Sequence, residues 1–380
     1  MREILTFCIA TALAAAPGAA QTPAPPPPAL DYLVWVASEA TDRIALVRFN
    51  PATGAKVERE FTIGLLPTDP DGPHGLTVSP DRRFLYITTA HGQPFGFLWK
   101  IDATTSTVVG RVELGMFPAT LQLTPDGSFA YIVNFNVHGD MVPSSVSVVG
   151  TDDMIEIARV PTCTMPHGSR LNPQGTKQYS ACMMDDLMVE IDTRTFGVAR
   201  VFGVAKGGEQ VAALPVAPAT HTTHNAPLTT HVPTCSPTWA QPSADGSRVY
   251  VACNKSNEIL EIDVNRWALT RRFAAADGVY NLAVTRDGRL LVATNKRGQS
   301  VSVFDLATGK EVARIATKRR IVHGVVVSPD DRYAFVSVEG IGSQPGTVEV
   351  IDLRTRAAVA SADVGQMAGG IDFWKTEGGH

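Results

Sequence analysis

One short turn, repeated, constrains this chain more than any other feature. It reads SPDRR at 79–83, TPDGS at 124–128, NPQGT at 172–176, SADGS at 243–247, TRDGR at 285–289 and SPDDR at 328–332. Proline beside aspartate presets a β-turn, and the glycine that follows tolerates positive φ, so each copy predicts a tight hairpin. The copies belong to a unit of roughly 42 to 48 residues, the span of a four-stranded propeller blade. A second series marks the third strand of the unit, in WKID ending at Asp102, VEID at Asp192, LEID at Asp263, VFD at Asp305 and VID at Asp352. The alternation in SVSVFD (300–305) suits a half-buried strand. The unit after TPDGS departs from this, with SVSVVGTDD where the others end in I-D.

Six whole units leave material at both ends of the chain. Residues 32–64 supply three strands with a turn at NPATG (50–54) but no first strand, while 367–374 read as a lone first strand. Joining the two closes a ring and removes free sheet edges. The expected fold is therefore all-β, a seven-bladed β-propeller of four-stranded blades, closed by a C-terminal first strand in the N-terminal blade.

Three segments, YIVNFN (131–136), VYVACNKSNEILEID (249–263) and LLVATNKRGQSVSVFDLATGKEVARI (290–315), resemble the YVTN repeat of secreted bacterial and archaeal proteins. The resemblance covers essentially the whole chain after its leader. It implies the propeller fold and leaves function open, because related propellers serve as lactonases, as cofactor-bearing domains of periplasmic oxidoreductases and as binding scaffolds.

The N-terminus carries Arg2, a mostly apolar run over 4–16, and Gly18, Ala19 and Ala20 before Gln21. This is the layout of a secretory signal peptide over 1–20, cleaved after Ala20. The run falls short of the roughly 20 apolar residues that span a bilayer, so no membrane span is expected. Cys8 lies inside the run, which argues against a lipoprotein. A Pro-rich linker (21–30), the propeller (31–376) and a short tail (377–380) follow, and the compartment read from the leader is the periplasm or the exterior. Formal net charge is −4 with no basic stripe, which excludes nucleic acid as a partner. The chain is read as a monomer with a small-molecule or protein ligand at its funnel.

In a propeller the first strands line the central channel, and their starts share one face with the loops between strands two and three. Aligned through the turns, the first-strand starts are Pro73-His74-Gly75, Pro118-Ala119-Thr120, Pro166-His167-Gly168, Pro237-Thr238-Trp239, Val279-Tyr280-Asn281, Val322-His323-Gly324 and Met367-Ala368-Gly369. His74, His167 and His323 take three of seven equivalent places in a chain with nine histidines. The loops add His91, His138, Asp140, Met183, Met184, Asp185 and Glu339. A candidate metal set is accordingly His74, His167, His323, His91, His138 and Glu339, suited to a borderline or soft ion such as copper. Two other readings stay open: P-H-G as a strand-start turn with the imidazole hydrogen-bonded locally, and a metal-free acid–base role for the histidines.

Cys163, Cys182, Cys235 and Cys253 remain after the leader and permit two disulfides. Cys163–Cys182 and Cys235–Cys253 are preferred because each pair is read within one blade, with copper ligation by free thiolates as the alternative. Between His167 and Thr238 the spacing is longer by roughly 26 residues than the usual blade period. The inserted stretch, about 208–234, carries THTTHNAPLTTH with His221, His224 and His231, and reads as a loop on the funnel face.

Three functions compete. The first is a periplasmic oxidoreductase, or an accessory to one, with a transition metal or redox cofactor in the funnel. It resembles the nitrous oxide reductase and cytochrome d1 propellers without their full ligand motifs, and the lack of C-x-x-C-H excludes covalent c-type haem. The second is a lactonase-like hydrolase or lyase, suggested by P-H-G and SPDRRFLYIT, though no arginine cluster for a phosphorylated substrate is present. The third is a non-catalytic scaffold for a protein or envelope ligand.

Overall fold

A computed structural model describes residues 30–66, 68–90, 95–214 and 231–378. They form seven antiparallel sheets, six of four strands and one of five; six run outward from the axis in chain order, and the seventh has the C-terminal strand innermost. Blade 2 shows the pattern, with Pro73–Val78 innermost, then Phe84–Thr89, Phe97–Asp102 and Val108–Glu113 outermost. The leader, most of the linker, His91, His221 and His224 lie outside the described residues, and the last strand runs to Glu377. Among the described residues no helix is long and apolar enough to cross a membrane.

Both repeated motifs are side-chain staples. Ser79 Oγ donates to Asp81 Oδ1 at 2.6 Å, Arg83 N donates to the same oxygen at 3.0 Å, and Phe84 N donates to Ser79 Oγ at 2.9 Å. Ser328 and Asp330 repeat the arrangement in blade 7. The aspartate of I-D turns back on the next hairpin, Asp102 Oδ1 accepting from Thr104 N at 2.9 Å and Thr105 N at 2.8 Å. Asp192, Asp263 and Asp352 do the same. These Asx turns satisfy backbone donors where the ladder ends.

The ring closes as the sequence predicts. Ala368–Glu377 pairs antiparallel with Asp31–Ser38, with Tyr32 opposite Thr376 and Val36 opposite Ile371. Asp31–Ser38 is buried along its whole length. Tyr32, Val34 and Val36 pack against Tyr333, Phe335 and Val348 of blade 7, while Leu33, Trp35 and Ala37 pack against Leu85, Ile87 and Trp99 of blade 2. The period of two thus feeds both interfaces of one strand.

The two disulfides are Cys163–Cys182 and Cys235–Cys253, the expected pairing. One detail differs. Cys163 ends the outermost strand of blade 3, Ile155–Thr164, so its bond ties blade 3 to the second strand of blade 4, Lys177–Cys182. Cys235 clips the segment leading into blade 5 to that blade's Arg248–Cys253. Closing loops of 19 and 18 residues, each stabilises the fold by about 3 kcal/mol on the chain-entropy account. Part of the expected insertion is a strand, since Val211–Ala212 adds a fifth member to blade 4.

Deleting 367–380 should abolish a cooperative melt and leave an aggregating chain. Trp374, buried beside Trp35 with its Nε1–H donating to Arg82 O at 2.8 Å, should cost about 3 to 5 kcal/mol on Trp374→Ala. A truncated protein melting like the full chain would contradict closure by this strand.

Candidate functional site

The funnel is assembled from one backbone device used seven times. The residue before each first strand has left-handed backbone, φ being 60° at Gly72, 50° at Phe117, 51° at Met165, 47° at Ser236, 69° at Gly278, 67° at Ile321 and 55° at Met367. In six blades its carbonyl accepts from the amide just past the end of strand two, for example Glu39 N to Met367 O at 3.0 Å, Lys296 N to Gly278 O at 2.8 Å and Glu339 N to Ile321 O at 2.9 Å. Two residues after the left-handed position come His74, Ala119, His167, Thr238, Tyr280, His323 and Gly369. Blade 1 is therefore offset by one from the alignment made through the turns, with Gly369 rather than Ala368 at the histidine position.

The glycine of P-H-G has a packing cause. A Cβ on Gly75 would stand 2.0 Å from Ala119 O, and one on Gly168 would stand 2.3 Å from Thr238 O, so only glycine lets adjacent first strands approach this closely. Hydroxyls then register each blade on the next. Thr120 Oγ1 donates to His167 O at 2.5 Å, Thr238 Oγ1 to Tyr280 O at 2.8 Å and Thr294 Oγ1 to His323 O at 2.9 Å.

The three histidines do converge. Ring centroids are 5.6 Å apart for His74 and His323 and 6.3 Å for His74 and His167, and Tyr280 fills the gap at 5.3 Å from His167 and 4.9 Å from His323. His167 is fully buried and both its nitrogens are engaged. Nδ1–H donates to Thr238 O at 2.9 Å, which leaves Nε2 to accept from the Tyr280 hydroxyl at 3.0 Å. His74 Nδ1 lies 2.9 Å from the Glu39 carboxylate, while its buried Nε2 has no partner. His323 Nδ1 is likewise buried without a partner, and its Nε2 stands 3.9 Å from Glu339.

Electrostatics keep two of these rings neutral. Burial pushes the pKa of His167 down to about 3, with His74 and Lys296 acting in the same direction. Burial also holds His323 well below the usual range, aided by Lys296. Lys296 is half-buried, 2.9 Å from Glu339 and 4.4 Å from the Tyr280 ring centroid. Burial opposes its charge, yet Tyr280, Glu339 and Glu39 outweigh that and raise its pKa. Burial raises Tyr280 as well, so it stays a hydroxyl donor.

The rest of the candidate set separates. Glu339 alone stays with the cluster, 3.9 Å from His323 Nε2 and paired with Lys296 at 2.9 Å. His138 is exposed, edge-on to Phe117 at 5.2 Å and outside the ring. His91 lies outside the described residues. The cysteines are consumed in disulfides, which removes the thiolate-copper reading. His231 stands 3.4 Å from Asp186. Met165, Met183 and Met184 pack with Phe117 and Phe135 as an apolar shoulder. Among the described residues no three His, Cys, Asp or Glu side chains are grouped to hold a metal ion in this arrangement. Glu39, Tyr280 and Lys296 went unrecognised in the sequence. Tyr280 occupies the histidine position of blade 6, and Glu39, Lys296 and Glu339 share the place just after strand two, so repeat equivalence carries the signal.

Comparison with known proteins shows the fold. No family model and no curated protein matches the chain. Among solved structures, a periplasmic gluconolactonase of Pseudomonas aeruginosa aligns at 18% identity and TM-score 0.68 over 91% of this chain and 99% of that one. A protein of unknown function from Desulfotomaculum acetoxidans aligns at 17% and 0.66 over 90% and 98%. A hydrazine synthase chain of Kuenenia stuttgartiensis aligns at 20% and 0.60 over 80% and 90%.

Neutral buried histidines tie stability to pH. The stabilisation is complete above the unfolded pKa near 6.5 and is lost as pH falls, because the unfolded chain binds protons that the folded one refuses. His167 alone should cost about 1.4 kcal/mol per pH unit below that point, continuing toward about 3. Urea midpoints at pH 7, 6 and 5 should show a shallower decline in His167→Gln than in the wild type, and equal declines would contradict a neutral His167.

Proposed function

We propose that the funnel of this exported propeller holds a transition-metal ion, copper being one fit, and that the protein is a periplasmic or secreted oxidoreductase or an accessory to one. The observation that carries the reading is the pair of buried, unpartnered imidazole nitrogens, His74 Nε2 and His323 Nδ1, on rings 5.6 Å apart. Buried polar atoms without partners call for a missing partner such as an ion or water. Glu39 on the far nitrogen of His74 is the carboxylate–imidazole arrangement that orients a metal ligand and raises its basicity. His74 and His323 would be the ligands, and His167 would join by releasing the Tyr280 hydroxyl. The ion would supply redox or Lewis-acid chemistry. Tyr280 and Lys296 would place a hydroxyl and an ammonium beside whatever binds there. Export is supported by the leader pattern over 1–20 and by two disulfides.

A second reading rests on the same Glu39–His74 pair without a metal. A carboxylate that holds Nδ1–H leaves Nε2 as a general base, which suits a lactonase-like hydrolysis.

The test is elemental analysis of protein purified from its native compartment. Near-stoichiometric metal is expected in the wild type, falling at least tenfold in the paired variant His74→Ala, His323→Ala, and affinity should weaken about tenfold in Glu39→Gln. Equal, substoichiometric metal in all three would overturn the metal reading. Lactone hydrolysis that survives chelation and disappears in His74→Ala would then select the hydrolase. Absence of both metal and hydrolysis would leave a binding scaffold.

A further inference from the structure

Three residues beyond the imidazole ring, the first strands form a second polar layer of Thr77, Gln122, Arg170, Gln241 and Asp372. Between the two layers lies a cavity of about 30 Å³ bordered by His74, His323, Asn281, Trp239, Thr120 and Arg170. A water needs roughly 10 to 15 Å³ on this measure, so the space admits two waters or an ion of one to three heavy atoms.

The donors on this cavity outnumber their uses. Trp239 is 2% exposed, and its Nε1–H, buried, has no hydrogen-bond partner. Arg170 lies over the Trp239 ring at 4.3 Å and spends one N–H on Ser169 O at 2.8 Å. Among the described residues no carboxylate comes within ion-pair distance of it. Asp372 accepts from Val78 N at 2.8 Å, Phe373 N at 2.8 Å and Thr77 Oγ1 at 3.0 Å, all on its own side of the channel. Asp372 acts on Arg170 through space without contacting it, so the remaining N–H groups of this half-buried guanidinium still need acceptors.

We propose that this cavity is a binding site for a small monovalent anion, chloride or a carboxylate the size of formate, held by the Arg170 guanidinium and Trp239 Nε1–H. An anion supplies a negative charge in direct contact, which Asp372 does not, and accepts from both donors at once, whereas a water supplies no charge. The burial that pushes Arg170 down to about 10 leaves it cationic at neutral pH. Access is from the opposite mouth, where a cavity of about 530 Å³ bordered by Gln122, Asn172, Gln241, Arg286 and Asp372 begins at the lower layer. The cavity borders His74 and His323, but the assigned donors, Arg170 and Trp239, are not residues given to a metal, and the anion does not depend on one.

The experiment follows the melting temperature while sodium chloride or sodium formate replaces the sodium salt of a bulky organic acid at constant ionic strength. The wild type should gain stability saturably with the small anions. Trp239→Phe, which keeps the ring and removes only the donor, should weaken the apparent affinity about tenfold, the loss of one hydrogen bond to a charged group. Arg170→Met should abolish the response. A wild type with no anion-specific gain, or three proteins with the same response, would overturn the proposal and leave a water-filled cavity. If Arg170→Met fails to fold, Trp239→Phe alone decides, because an unchanged affinity there refutes the assigned donor.

Discussion

The pairing of Ala368–Glu377 with Asp31–Ser38 does more than close a ring. Closure sets Met367 O where it accepts from Glu39 N, and Glu39 then reaches across to His74 in the next blade. The same strand delivers Gly369 to the imidazole ring and Asp372 to the layer beneath, where its carboxylate registers the first strand of blade 2 through Val78 N. A site built from both termini exists only when the chain is fully wound. Edge protection and site assembly are therefore one event.

Close approach of the first strands is the second constraint, and it explains why histidine comes with glycine. At Gly75, Gly168 and Gly324 a Cβ would meet the neighbouring strand's carbonyl at 2.0, 2.3 and 2.7 Å. Thr120, Thr238 and Thr294 then hold the carbonyls of His167, Tyr280 and His323, so each ring is placed by two blades. Side chains fixed at this level are pre-organised, and the polar channel is rigid where chemistry or binding would need it.

The fold was legible because its signals are local and repeated. SPD turns and I-D ends are side-chain staples whose partners lie within a few residues, as Ser79, Asp81 and Asp102 show. Convergence of His74, His167 and His323 followed from the same arithmetic. What escaped had other causes. Glu39 belongs to the split blade, whose repeat signal is broken by the chain ends. The one-residue offset at Gly369 arises because no repeated turn joins Ala368–Glu377 to its second strand, Asp31–Ser38, so turn spacing had nothing to fix it by. Lys296 drew no reading of its own, and tertiary packing pairs it with Glu339. His138 was placed by loop position alone, and a side chain on such a loop is free to face outward.

Charge along the axis is distributed so that His167 and His323 carry none of it. Lys296 is matched above the ring by Glu339 with Glu39 nearby, and Arg170 lies below it on the side of Asp372. Protonating His167 or His323 would add a buried cation to this set, next to Lys296, with both effects acting against the proton. These two rings are thus held as lone-pair donors between two fixed cations. Neutral imidazole is the form that ligates a metal or accepts a proton, so the depressed basicity of His167 and His323 and the unpartnered nitrogens of His74 and His323 belong to one design: acceptors concentrated at the ring, donors concentrated beneath it, and a small cavity between them where a ligand could satisfy either.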